Sequence, residues 1–308
     1  MNETFTVYLA PHGFLQELID EINTNIICSK GHLILVKGSP KKFAWAQNTW
    51  LSPRFIPISS ITDGAKKLLS IQRNWWLHSE NHHRRATLIQ QQLPYVSAKK
   101  LHFGEIPPQT PLGSWTLWEK DIILASPDCS SVFPDGVITF HENKIEPPSR
   151  AYLKLWEVFT RFSFVPSYKE LCIDLGASPG GWTWVLAKLG SSVISIDKAP
   201  LASHISSLPN VEHYTGSGFR FTPLHIGNVD WIFSDMACYP NKLYNFIQPW
   251  IINKNCHTII CTLKLQGKPS NSTLSCFKKI QSSYLIHLSY NKHELTWIYS
   301  TKYPLVML

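Results

Sequence analysis

The sequence predicts two domains: a smaller N-terminal α+β domain over residues 1–147, and an α/β domain over residues 148–308 built on a mainly parallel sheet. Three observations carry this. At 308 residues the chain exceeds the usual span of one domain, about 100–200 residues. Hydrophobic residues make up 44% and charged residues 16%, a balance that favours a packed chain over a disordered one. After Pro148, apolar runs of strand length alternate with helix-length segments. That alternation is the mark of parallel strands covered on both faces.

In the N-terminal domain, Phe5-Thr-Val-Tyr-Leu alternates like a strand, and Phe14, Leu18, Ile19 and Ile22 have helical spacing. His32 to Lys37, bracketed by Gly31 and Gly38, predicts a second strand, and Ile61 to Trp76 a helix. Residues 104–148 are crowded with turn formers, so short strands such as Val137-Ile-Thr-Phe are expected, ending in a linker at Pro147-Pro148. Beyond it, Ser149 is a reasonable N-cap for a helix running to about Phe162. Strands are then expected at Leu171–Leu175, Val193–Ile196, Val211–Tyr214, Trp231–Phe233, Thr258–Leu263, Tyr284–Leu288 and Leu295–Tyr299. The short connection between the last two implies an antiparallel hairpin.

Composition narrows the partners. The formal net charge is +8, and it is uneven: residues 1–150 hold 15 Lys and Arg against 13 Asp and Glu, residues 151–308 hold 14 against 8. The excess in the second half permits a polyanion such as RNA. No apolar run reaches the roughly 18 residues of a membrane-spanning helix, and the first residues lack the basic and apolar regions of a secretory signal. The seven cysteines are scattered and form no Cys-x-x-Cys pair, so neither a disulfide scaffold nor a zinc site is expected and a reducing cytoplasm fits.

The strongest local signal is Asp174-Leu-Gly-Ala-Ser-Pro-Gly-Gly-Trp182, between a strand and a helix. Glycines at 176, 180 and 181 let the backbone turn sharply and approach a ligand, and the helix that follows presents free N–H groups. A dinucleotide loop needs Gly-x-Gly-x-x-Gly. Here no glycine follows Gly176 until Gly180, and no Walker lysine is present. Asp197 closes the next predicted strand, where a carboxylate can accept both ribose hydroxyls of an adenosine. A ligand-free turn is the plainer alternative.

This motif resembles the cofactor loop of the FtsJ/RrmJ-type RNA ribose 2′-O-methyltransferases, and within them the RlmM branch, which methylates a cytidine ribose in large-subunit ribosomal RNA. The resemblance extends through Pro148-Ser-Arg-Ala-Tyr-Leu-Lys-Leu, Ser217-Gly-Phe-Arg-Phe-Thr-Pro, Ser234-Asp-Met and Leu263-Lys-Leu. It is weaker in the first half, through Ala10-Pro-His-Gly-Phe, where the family's THUMP-like RNA-binding region is shortened. It implies a Rossmann-like class I sheet with an antiparallel last strand, and S-adenosylmethionine held by Gly176, Ala177, Ser178, Pro179, Gly180, Gly181, Trp182, Asp197, Ser217 and Asp235. It also implies RNA, of the large ribosomal subunit, as partner. Two positions depart from the family: Ser217 replaces an Asp expected to bind the adenine amino group, and Ala151 replaces a frequent Ser.

The same resemblance places a Lys-Asp-Lys-Glu tetrad at Lys154, Asp235, Lys264 and Glu294. The predicted strands agree, since Asp235 and Lys264 follow parallel strands while Glu294 opens one running the other way. All three then lie on one sheet edge, the edge where such sheets bind ligands. A ribose hydroxyl is a poor nucleophile, so alignment and proton removal are the tasks. Lys264 is assigned as base, with its pKa lowered by Lys154 beside it, while Asp235 and Glu294 orient the lysines. Scattered surface ion pairs are the alternative.

Elsewhere, Trp75-Trp-Leu-His-Ser-Glu-Asn-His-His-Arg-Arg85 mixes aromatic and basic groups, as single-stranded RNA platforms do, or else holds two packed tryptophans beside a solvated face. Lys268, Lys278 and Lys279 could meet phosphates. His82-His83 lacks further metal ligands nearby, and Cys238 reads as a packed residue. Two other classes stay open: a degenerate methyltransferase fold acting as an RNA-binding module, and a nicotinamide oxidoreductase on the same sheet.

Overall fold

The computed structural model describes residues 4–265 and 271–307. It divides into two compact units, Met1–Phe140 and His141–Met307, ahead of the Pro147-Pro148 pair. Among the described residues no helix is long and apolar enough to cross a membrane.

The first unit is built on two four-stranded sheets. One comprises β1 (Phe5–Leu9), β2 (Ile26–Lys30), β3 (Leu33–Lys37) and β4 (Asn48–Trp50), with α1 (Leu15–Ile22) between β1 and β2. Strand β1 lies in the middle, antiparallel to both β3 and β4, so Thr6 to Leu9 are all buried, the polar Thr6 among them. The second sheet contains β5 (Arg54–Pro57), β6 (Trp75–Leu77), β7 (Gly113–Glu119) and β8 (Ile122–Ser126), with α2 (Ile61–Ile71) and α3 (His83–Gln90) in the intervening chain.

Two sequence expectations fail here. The helix predicted to reach Trp76 stops at Ile71, because Gln72 is extended and Trp75-Trp-Leu77 turns back to pair with Gly113-Ser-Trp115. Trp75 is wholly buried, and its indole N–H donates to the carbonyls of Leu68 in the last turn of α2 and of Gln72 just beyond it. A Cβ on Gly113 would lie 2.8 Å from that ring, so the facing strand requires glycine. Residues 137–140 form no strand; the turn at Asp135-Gly136 leads into a segment with a single bridge, Phe140 to Leu101.

The second unit holds α4 (Tyr152–Phe162), β9 (Leu171–Leu175), α5 (Gly181–Lys188), β10 (Ser192–Asp197), α6 (Ser203–Ser206), β11 (Val211–Thr215) and α7 (Pro223–Ile226). It continues with β12 (Val229–Ser234), α8 (Pro240–Ile252), β13 (Cys256–Lys264), α9 (Asn271–Lys279), β14 (Ser283–Ile286) and β15 (Glu294–Ser300). The seven strands lie in the order β11-β10-β9-β12-β13-β15-β14, and only β15 runs against its neighbours. The expected sheet with its antiparallel last strand is therefore present. Its central strands are buried along both faces, with Trp231, Phe233, Ile259, Ile260 and Trp297 fully enclosed. The strand order reverses between β9 and β12, and the carboxyl ends at such a reversal form a crevice.

One boundary needs correction. Helix α4 begins at Tyr152 behind Ala151, and no side chain caps it. Ser149 is instead placed against the glycine loop, its Oγ 2.5 Å from where a Cβ on Gly181 would stand.

Candidate active site

The glycine loop leaves β9 at the crevice. Gly176 has φ +74°, and a Cβ there would lie 2.9 Å from the backbone of Met236, so only glycine lets the two chains pass. The amides of Gly176 and Ala177 donate to the Ile196 carbonyl, and that of Ser178 donates to Asp197 at 3.0 Å. Ser178 Oγ donates to Pro200, and the Pro179 carbonyl accepts from Ala202. Gly180 opens α5 with φ +114°, and the Trp182 indole donates to the carbonyl of Ala151. The loop is thus tied to β10 and to the start of α4, and Asp197 is half spent on it. Its second oxygen accepts from Ala199, and each oxygen retains one further acceptor site. Ser217 follows β11, and its neighbour Gly218 abuts Met236 and Leu175.

Beneath the loop, Asp174 is completely buried. Burial pushes its carboxyl up to about 7 despite a 2.6 Å hydrogen bond from Thr183, and Oδ1 has no hydrogen-bond partner among the described residues.

Lys154, Asp235, Lys264 and Glu294 meet on the same edge. Asp235 follows β12, with its amide bonded to Leu175 O. Lys264 and Glu294 are register partners across β13 and β15, and Lys154 comes in from the first turn of α4. The Lys154 ammonium lies 3.1 Å from Asp235 and 2.6 Å from Glu294. The Lys264 ammonium lies 2.5 Å from Asp235 and also pairs with Glu294. Thr262, two residues before Lys264 and so on the same strand face, donates to Asp235 at 2.6 Å. That residue escaped the sequence reading, although its strand spacing could have shown it. Lys154 and Glu294 are 8% and 5% exposed, so this is a sheltered cluster and not a set of surface ion pairs.

The electrostatics correct one expectation. Burial pulls the Lys264 ammonium down, but Asp235 and Glu294 outweigh it and hold its pKa above the usual 10.5. The expected lowering by Lys154 therefore does not prevail against the two carboxylates that both lysines share. Asp235 is held below the ordinary carboxylate range: burial pushes it up, and Lys154 and Lys264 more than reverse this.

The remaining candidates separate from this cluster. The Trp76 indole donates to Asp135, and His78 sits between Asp135 and Glu80. Burial opposes the charge on His78, but the two carboxylates win and raise its pKa. Trp75, in the core, is not a free stacking platform, whereas Trp76 is half-buried. His82 and His83 are exposed at the start of α3, and Lys278 and Lys279 end α9. Lys268 lies outside the described residues. Burial raises the Cys238 thiol, which makes it a poor nucleophile. Among the described residues no group of three or more His, Cys, Asp or Glu could hold a metal ion.

Residues 147–276 match the family model of the FtsJ-like methyltransferases. Curated proteins named ribosomal RNA large subunit methyltransferase M are similar to the same half. That of Aggregatibacter aphrophilus is 35% identical over 131 residues, covering 40% of this chain and 36% of the relative. That of Pasteurella multocida is 33% identical over 169 residues, covering 49% and 46%. The chain thus spans less than half the length of these relatives. Loop, sheet order and charged cluster lie within or beside the matched segment, and residues 147–276 of this chain are similar to the FtsJ-like methyltransferases.

Proposed function

We propose that this chain transfers the methyl group of S-adenosylmethionine to a ribose 2′-hydroxyl of RNA, with large-subunit ribosomal RNA as the substrate. The observation that carries the reading is the pair of sheltered lysines sharing two carboxylates at the carboxyl edge of the sheet, beside a glycine loop closed against Met236. The cofactor brings a methyl group already activated on a sulfonium. Residues 176–182, with Asp197, Ser217 and Asp235, are suited to hold it. The chain's own task is then to align the hydroxyl and accept its proton.

Lys264 Nζ is the acceptor in this reading. It must be neutral to act, while Asp235 and Glu294 favour its charged form. The reactive fraction is therefore small near neutrality and grows tenfold with each pH unit. Lys154 balances the two carboxylates and keeps them from being shared by Lys264 alone. RNA contact by the N-terminal unit is assigned to the exposed His82, His83 and Arg84 of the α3 region.

The test is methyl transfer itself. The purified chain, labelled S-adenosylmethionine and large-subunit RNA from a strain lacking the gene are combined, and 2′-O-methyl positions are mapped. A new 2′-O-methyl ribose supports the reading. RNA binding without cofactor binding or methyl transfer would establish an RNA-binding module instead, and absence of RNA binding as well would remove both readings.

A further inference from the structure

Helix α4 is buried along its whole length and carries three charged residues, Lys154, Glu157 and Arg161. Lys154 serves the cluster just described. Glu157, one helical turn on, does not touch that cluster, yet its side chain is fully buried and accepts from several directions. Arg161 donates to its Oε1 through Nε at 2.8 Å and Nη2 at 2.7 Å. Ser289 donates to Oε1 through its amide at 3.0 Å and its hydroxyl at 2.9 Å, and the Tyr290 amide donates to Oε2 at 3.3 Å. The last three donors lie in the turn between β14 and β15.

That turn leads directly to Glu294. The Asn291 amide bonds to Leu288, and the Asn291 side chain donates to Glu294 O and to Thr296 Oγ1. His287 accepts no proton near neutrality, since burial pushes it down to about 4, and its ring meets the Lys292 carbonyl. The groups facing Lys264 are then Asp235 after β12, Glu294 on β15, and Lys154 of α4 across both carboxylates. Cys238, also nearby, keeps its proton.

We propose that Glu157 is a positioning residue of this site: from the helix that carries Lys154 it holds the 287–293 turn, and through the turn it fixes the Glu294 carboxylate between the two lysines. The proposal rests on reading the four-residue cluster as the reacting group, but its test uses no turnover. A buried carboxylate paired with arginine and filled by backbone amides is a rigid clamp. The helix and the strand that must face each other are thereby joined at a second point.

The experiment is a pH titration of the Lys264 side chain by NMR in protein labelled at lysine Cε. In the double variant Glu157→Leu/Arg161→Met both buried charges go together, so neither is left unpaired, and the turn loses its anchor. Glu294 then drifts from Lys264, and the midpoint of Lys264 falls by about one pH unit, the scale of losing one close opposite charge. Glu294→Gln lowers the midpoint at least as far. An unchanged midpoint in the folded double variant overturns the proposal and leaves Glu157 a stabilising residue only. Hydrogen exchange in the wild-type chain gives a second reading that needs no variant. The amides of Ser289 and Tyr290 exchange as slowly as those in the middle of α4 if the clamp holds, and exchange at the rate of an open turn refutes it.

Discussion

Lys264 carries the sharpest consequences at the scale of single residues. Its charged form is stabilised by Asp235 and Glu294, so the rate of methyl transfer in single turnover should rise tenfold per pH unit and show no plateau below the usual lysine pKa of 10.5. A plateau near pH 8 would mean that the two carboxylates are neutralised in the reacting complex. Lys264→Arg keeps the charge but cannot give up a proton near neutrality, whereas Lys264→Ala loses both. Each should slow transfer by about 100-fold or more with cofactor affinity preserved, and near-normal turnover in the arginine variant would exclude the base role. Asp174 makes a prediction about stability. Its carboxyl is raised to about 7 in the folded chain against an ordinary 3.8, so the folded state keeps a proton that the unfolded state releases. Stability from this residue is therefore lost as pH rises from about 4 to about 7 and is level above that. Asp174→Asn should remove that loss, so its melting temperature relative to wild type should climb across the same interval. A constant difference would place the proton elsewhere.

At the scale of elements, the glycine loop and the tryptophan strand differ in how much of them could be read beforehand. Strand, loop and helix around 174–182 were legible because glycines at those positions have a local meaning. The third contact, Met236 against Gly176, comes from a distant strand end and has no local sign. It explains why Gly176→Ala should fail to bind the cofactor and should also unsettle the loop, with φ +74° adding backbone strain to the clash. Isothermal titration together with a melting curve separates the two effects. Gly180→Val is a poorer probe, since φ +114° would strain it even without a ligand. Trp75 shows the opposite case. Its apolar spacing after Leu68 suits a continuing helix, and only the pairing with β7 turns it into a buried strand residue. Trp75→Ala should cost about 3–5 kcal/mol of stability, measured by denaturant unfolding, and a surface platform would cost far less.

For the whole molecule, the glycine loop, the charged cluster and the buried Glu157 all belong to the unit His141–Met307. A chain limited to that unit should bind S-adenosylmethionine as tightly as the full chain, measured by calorimetry, and a loss beyond about tenfold (about 1.4 kcal/mol) would show that the first unit helps to build the site. The sequence by itself determined the alternation of strands and helices, the final hairpin and the glycine loop, each written in local spacing. The four charged residues were singled out through the family resemblance of the motifs around them. Only the tertiary structure decided the protonation of Lys264, the course of residues 72–77 and the role of Glu157. Those depend on which charges and backbones meet across long separations, as when Glu157 reaches residues more than 130 positions away. Burial then sets how strongly such partners act, because desolvation and charge pairing are properties of the assembled core and not of any stretch of chain.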